Sequence, residues 1–269
     1  MKQICLTFLF FFLISYKSYS QELYINTEPA SLIPKGVKII RLYNSNIFLK
    51  GTDDLGNSLA TAKLFVPSFS YGISKQIMIT TSFQFSNDIY DSSNSNFGFS
   101  GLKFYSKQRI FSTDKQKYHT RLSSFVKYAY HKNKFMKDNL DIDLQDTGLE
   151  FGLLATQLIE KFAISITTGL GIYTVENLNL FKNCISAGYL FFPRKYKSYK
   201  QTNFNIYFEY MTNTILNSSF PTKYDKFSNT IAPGIQFIIL SRSRLDFSYK
   251  IRNGGNKNEF LIKLTYLIY

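Results

Sequence analysis

The feature that most constrains this chain is a two-residue alternation of apolar with small or polar side chains. Phe162, Ile164, Ile166, Leu170 and Ile172 are interleaved with Ala163, Ser165, Thr167, Gly169 and Gly171. Ile77, Ile79, Phe83 and Phe85 repeat the pattern, as do Phe204, Ile206, Phe208 and Tyr210, and Leu245, Phe247, Tyr249 and Ile251. Successive side chains of a strand point to opposite faces, so such segments build sheets with one apolar and one polar face. No segment sustains an apolar stripe at spacings of three and four, which a helix would need. The chain is predicted to be all-β, with twelve strands at roughly 36–48, 61–71, 74–86, 97–107, 117–131, 146–156, 161–175, 182–192, 201–212, 229–240, 243–252 and 258–269. The adjacent Ile39 and Ile40, and Gly101 between two apolar parities, each predict a bulge.

The connections add a second regularity. Those after odd strands are mostly long and polar (49–60, 87–96, 132–145, 213–228), and those after even strands are often tight, as at Gly72–Ile73 and Ser241–Arg242. Short turns at one end and long loops at the other are the habit of an outer-membrane barrel. The segments 108–116 and 193–200 are longer than that habit requires. Basic residues gather at the short-turn end, among them Lys75, Lys107, Arg109, Lys161 and Arg242.

A water-soluble barrel and a membrane barrel share this alternation and differ in which face points out. Small uncharged residues such as Ser186 and Gly188 on the polar parity suit a crowded interior better than a solvated surface. Tyr71, Tyr105, Tyr118, Tyr130, Tyr173, Phe192, Tyr210 and Phe260 lie near strand ends, where interfacial aromatic girdles belong. A mean hydropathy of −0.12 excludes several membrane-spanning helices but not a barrel.

Residues 1–20 read as a cleaved signal peptide: Lys2, an apolar run from Ile4 to Ile14, and small Ser18 and Ser20 before Gln21. Its loss takes Lys2 and Lys17 and lowers the net charge from +14 to +12. It also takes Cys5 and leaves Cys184 alone, so no intrachain disulfide forms. The expected organisation is a signal peptide over 1–20, a periplasmic N-terminal segment over 21–35 and a single antiparallel transmembrane β-barrel over 36–269. The barrel ends in an aromatic-rich strand closing on Tyr269.

The segments QELYINTEPAS (21–31), LEFGLLATQLIEKFAIS (149–165), FPRKYKSYKQTNFNIYFEY (192–210) and IAPGIQFIILSRSRLDFSY (231–249) resemble a family of porin- and transporter-like outer-membrane β-barrel proteins from Bacteroidota. The resemblance runs over most of the mature chain. It implies a fold and an outer-membrane address, and it carries over no catalytic residues.

Chemistry is sparse. The two histidines, His119 and His131, have no serine at the spacing that barrel phospholipases use, because the residue two beyond His119 is Arg121. The acidic run 137–146 lacks the Gly and Glu of a calcium loop begun at Asp141, with Asp146 and Gly152 in their places. Cys184 alone does not build a zinc site and reads as a small residue in the barrel wall. Gly169-x-Gly171 lies within a strand and reads as small lumen residues or a bend. The basic, aromatic stretches 107–121 and 193–200 suggest lipid head groups or periplasmic partners rather than nucleic acid. No enzyme, cofactor or metal is expected.

With the apolar parity facing lipid, the opposite parity lines the lumen. Its predicted charged members are Lys103, Arg121, Lys127, Arg244, Lys250 and Lys263 against Glu150, Glu209 and Asp246, with Gln84, Asn203, Asn205, Tyr207 and Gln236 beside them. A basic excess favours anions in a pore. The expectation is an outer-membrane barrel acting as a narrow channel or transporter for small, preferably anionic, solutes. Its partners would be outer-membrane lipids and the assembly machinery. The alternative is a non-conducting structural or adhesive barrel acting through its outer loops; an outer-membrane hydrolase is a weaker third.

Overall fold

The computed structural model describes residues 24–49, 61–87, 97–115, 117–132, 147–174, 177–193, 201–219, 225–253 and 257–269. The leader 1–20, the acidic run 137–146 and most of the other long connections lie outside the described residues. The strands are β1 (Lys38–Leu49), β2 (Ala62–Gly72), β3 (Ile77–Ser86), β4 (Gly98–Asp114), β5 (Tyr118–His131), β6 (Gly148–Ile159), β7 (Phe162–Tyr173), β8 (Leu178–Phe192), β9 (Asn203–Ile215), β10 (Phe227–Ile239), β11 (Ser243–Arg252) and β12 (Lys257–Ile268). Each pairs antiparallel with its sequence neighbours, and β1 closes the ring on β12 from Lys38↔Ile268 to Leu49↔Lys257. Closure leaves no unpaired edge, which a β structure needs where no water can satisfy its backbone.

The alternation resolves into an outside and an inside. Ile79, Phe83, Ile166, Ile172, Ile206 and Phe208 are between 42% and 47% exposed. Their neighbours in sequence Thr80, Ser82, Ser165, Asn205 and Glu209 are buried. The exposed large apolar side chains lie on all twelve strands, whereas the largest patch on an ordinary soluble monomer spans only about 300–600 Å². The polar face is therefore inside and the apolar face outside, the arrangement of a barrel set in lipid.

Several local expectations are corrected. At Ile39–Ile40 the pairing of β1 with both neighbours runs without a shift: Ile39 points inward and Ile40 outward, so alternation accommodates both. The bulge at Gly101 is present, with Gln84↔Gly101 followed by Phe85↔Phe99 so that Ser100 is skipped. The long connection expected over 108–116 is strand as far as Asp114; a second bulge, at Ile110, lets β4 and β5 run on together into a short turn. At Leu240–Ser241 both residues have positive φ, and Arg242 N–H bonds back to the Ile239 carbonyl. That is the turn geometry whose twist matches a tight hairpin.

Two of the residues expected in the aromatic girdles point inward. Tyr105 stacks on Phe125 with ring centroids 5.9 Å apart, and Tyr173 is 1% exposed. The Phe125 and Tyr173 rings need glycine neighbours. A Cβ on Gly152 would lie 2.9 Å from the Phe125 ring, and one on Gly171 would lie 2.9 Å from the Tyr173 ring. Gly171, and with it Gly169 beside Phe125, thus makes room for rings inside the barrel.

The N-terminal segment is the part the sequence leaves most open. The reading of 21–35 as a periplasmic segment does not decide between a free arm and a fold into the barrel; from Tyr24 to Ile33 the chain runs inside the barrel. Tyr24, Ile25, Thr27, Ala30, Ser31, Leu32 and Ile33 are all buried. The sequence pattern could not show this, because a non-strand segment lining a lumen carries no period. The chain leaves the lumen at the turn end through Pro34, Lys35 and Gly36, where Gly36 N–H bonds to the Gly72 carbonyl and φ is +83°.

Candidate functional site in the barrel lumen

The internal segment crosses the turn half of the lumen and is held from many strands. Tyr24 donates its hydroxyl to the Ala163 carbonyl of β7 at 2.7 Å and packs edge-on against Tyr207 of β9, with centroids 6.1 Å apart. Glu209, also on β9 and fully buried, accepts the backbone N–H of Thr27 at 2.7 Å and the Asn26 side-chain amide at 2.6 Å. The Asn26 backbone N–H reaches the same carboxylate at 3.2 Å. Thr27 Oγ1 lies 2.7 Å from Cys184 Sγ and also meets Ser186, so Cys184 faces the lumen beneath the segment. Ala30 donates its N–H to Thr156 and accepts from the Ser123 hydroxyl at 2.6 Å. From β12, Lys263 Nζ donates to the Tyr24 and Ile25 carbonyls. A non-helical segment in a low-dielectric interior must find such partners for its backbone. The inward polar residues of five strands supply them.

Nearer the long-connection end, two charge clusters stand on opposite sides of the ring. Glu150 of β6 lies between Lys127 of β5 at 3.0 Å and Lys182 of β8 at 2.9 Å. Glu259 of β12 lies between Lys250 at 3.3 Å and Arg252 at 3.1 Å, both of β11, and accepts the Ser45 hydroxyl at 2.6 Å. Each carboxylate is flanked by two bases, so each cluster carries an excess positive charge. Between them in the ring, Asn205, Gln236 and Asp246 form a relay: Asn205 Nδ2 donates to Gln236 Oε1, and Gln236 Nε2 to Asp246 Oδ1 at 2.6 Å.

All nine charged residues assigned to the lumen lie on inward positions of their strands. Arg121, Lys127, Glu150, Glu209, Arg244, Asp246 and Lys250 are buried, while Lys103 and Lys263 are partly exposed. Glu150 and Lys127 come together, whereas Glu209 and Lys263 meet the internal segment rather than each other. The inward parity also holds Arg41, Lys107, Arg109, Lys182, Arg252 and Glu259, which sequence reasoning missed. Lys107 and Arg109 were placed at a periplasmic turn. The signal that could have recovered them was alternation continuing beyond residue 107 through a bulge.

His119 meets a carboxylate rather than a serine. His119 Nδ1 lies 2.8 Å from Asp114 Oδ1, which also accepts from Arg121 Nη2 at 3.2 Å. This triplet sits at the turn end of β4 and β5, where Asp114 pairs with His119 across the two strands. His131 donates its backbone N–H to Thr147 near the opposite end. Among the described residues no cluster of three metal-ligating side chains occurs.

No protein-family model matches the chain, and no curated protein matches it in sequence. Solved structures do match in fold. An outer-membrane channel from Pseudomonas putida F1 superposes with a TM-score of 0.60 at 12% identity, covering 91% of this chain and 100% of that one. The NanC porin gives 0.51 at 8% identity, covering 84% and 98%, and the KdgM porin 0.50 at 6% identity, covering 85% and 99%. At such identities the likeness is one of fold: a closed, twelve-strand antiparallel barrel of the outer-membrane type.

Proposed function

We propose that the chain is an integral outer-membrane barrel acting as a narrow channel for small solutes, weakly favouring anions, and closed at rest by its own residues 24–34. The observation that carries this reading is the inversion of the barrel, an apolar exterior around a charged interior with a basic excess. Lipid accounts for the first, and the passage of charged or polar solutes for the second. The channel and porins of the same fold support it, as does the resemblance to porin-like barrels of Bacteroidota. Twelve strands enclose more than the side-chain-filled core of an eight-strand barrel and less than the open bore of sixteen. The internal segment takes up that extra space. On this reading the barrel reaches its membrane through the leader 1–20 and the outer-membrane assembly machinery, and it performs transport rather than catalysis.

The test is conductance in planar bilayers of the wild type and of a variant lacking residues 24–34. The proposal expects rare, brief openings from the wild type and steady anion-selective steps from the deletion variant. A silent or cation-selective deletion variant overturns it.

One observation favours the non-conducting reading: Glu209, Asp246 and Glu259 are each 0% exposed, so the resting lumen is filled at those depths. In that case the barrel acts through its outer loops, most of whose residues lie outside the described ones, and removing the segment opens nothing.

A further inference from the structure

Residues 28–31 of the internal segment meet the wall at a strongly basic corner. Lys107 and Arg109 of β4 and Arg121 of β5 point inward on neighbouring strands, and Lys107 is fully buried. The segment supplies this corner with oxygens. Lys107 Nζ donates to the Pro29 carbonyl at 2.8 Å and to Glu28 Oε2 at 3.3 Å. Arg121 Nη1 donates to Ser31 Oγ at 2.7 Å. Donors remain in excess: the Nε–H groups of Arg109 and Arg121 are buried and reach no acceptor among the described residues.

Buried cations are costly unless oxygens satisfy them. One carboxylate, one carbonyl and one hydroxyl of the segment do so, within four consecutive residues. A small oxyanion would present such oxygens to Lys107 and Arg121, and also to the Arg109 donor that the segment leaves unmet. Arginine favours such ligands because its planar fork matches carboxylate and phosphate. If the segment withdraws, the corner loses all three oxygens together, and Asp114 at the rim is left to face Arg121.

We infer that Lys107, Arg109 and Arg121 form an oxyanion-binding site that residues 28–31 occupy as an internal surrogate ligand, so that a carboxylate- or phosphate-bearing solute competes with the segment for it. The inference rests on the reading of the lumen as an anion path and adds the place where the anion binds and the means by which it frees the way. A ligand that binds only the undocked state shifts the population toward that state by mass action.

The test uses the full chain with Thr27→Cys, whose new thiol faces Cys184, so that oxidation ties the segment down and reduction frees it. Binding of gluconate and, separately, of inorganic phosphate is measured by calorimetry in detergent, with glucose as the neutral control. In the reduced protein at least one oxyanion binds and glucose does not; in the oxidised protein its affinity falls at least tenfold. Binding of gluconate alone assigns a carboxylate site, and binding of phosphate alone a phosphate site. Lys107→Gln in the reduced background weakens binding at least tenfold, and Lys107→Arg restores most of it. Where Lys107→Gln fails to give the heat-modifiable band of a folded barrel, Arg109→Gln replaces it, because its guanidinium holds no oxygen of the segment. Equal affinity in the two redox states, binding insensitive to these substitutions, or no binding of either oxyanion overturns the inference. No current is measured, so failure here is separate from failure of the channel reading.

Discussion

The carboxylate of Glu209, midway along β9, accepts the backbone N–H of Thr27 at 2.7 Å across 182 positions of sequence. This contact joins the barrel wall to a segment outside its sheet. It places a buried charge where, among the described residues, the segment's amides compensate it closely, so the segment and the carboxylate stabilise each other.

Glu209→Gln keeps one acceptor oxygen and removes the charge. A hydrogen bond to a charged group contributes about 1.5–3 kcal/mol, so the docked segment should loosen by a factor of about 10 to 100. Cys184, covered by Thr27 in the docked state, reports this. The variant should react with a small maleimide at least tenfold faster than the wild type. An unchanged labelling rate would remove Glu209 from the account of closure.

Gly234 sits opposite Tyr207 across the β9–β10 seam, and a Cβ there would lie 2.3 Å from the Tyr207 ring. Gly234→Ala therefore moves the ring, and with it the edge-on contact to Tyr24. Overpacking of this kind costs about 1–3 kcal/mol. The folded band on unheated gels should convert at a lower temperature, and Cys184 should label faster. A variant matching the wild type in both measurements would show that Tyr207 does not brace the segment.

Glu259→Ala removes the one carboxylate shared by Lys250 and Arg252, whereas Glu259→Gln keeps its shape and an acceptor for Ser45. Removing one partner of a buried ion pair costs about 3–5 kcal/mol because the other charge stays buried. Thermal unfolding of the purified barrel should fall markedly for the alanine variant and less for the glutamine variant. Equal effects would mean that the cluster contributes packing rather than charge balance.

The sheet was legible because every strand repeats one physical rule. Ile166 faces out and Ser165 in for the same reason that Phe208 faces out and Tyr207 in. Tyr105 and Tyr173 were misread because aromatics at strand ends suit either an interface or a glycine-lined interior, and only neighbours across the sheet decide. Gly152 beside Phe125 belongs to another strand, so no local window contains the pair. Lys107 and Arg109 were taken for turn residues because the bulge at Ile110 interrupts the alternation beyond them. The internal segment was least legible: Thr27, Ala30 and Ser31 have no period, and their partners Glu209, Thr156 and Arg121 lie far along the chain.

On the channel reading proposed above, residues 24–34 close an anion-preferring path through the barrel. Single-channel recording of Thr27→Cys under alternating oxidant and reductant tests it most directly, with Thr27→Cys/Cys184→Ser as the variant that cannot be tied. Closure by the segment predicts silence when oxidised, openings restored by reductant, a zero-current potential of anionic sign under a salt gradient, and no redox response from the double variant. Openings that persist unchanged in the oxidised protein, or that select cations once reduced, would contradict it.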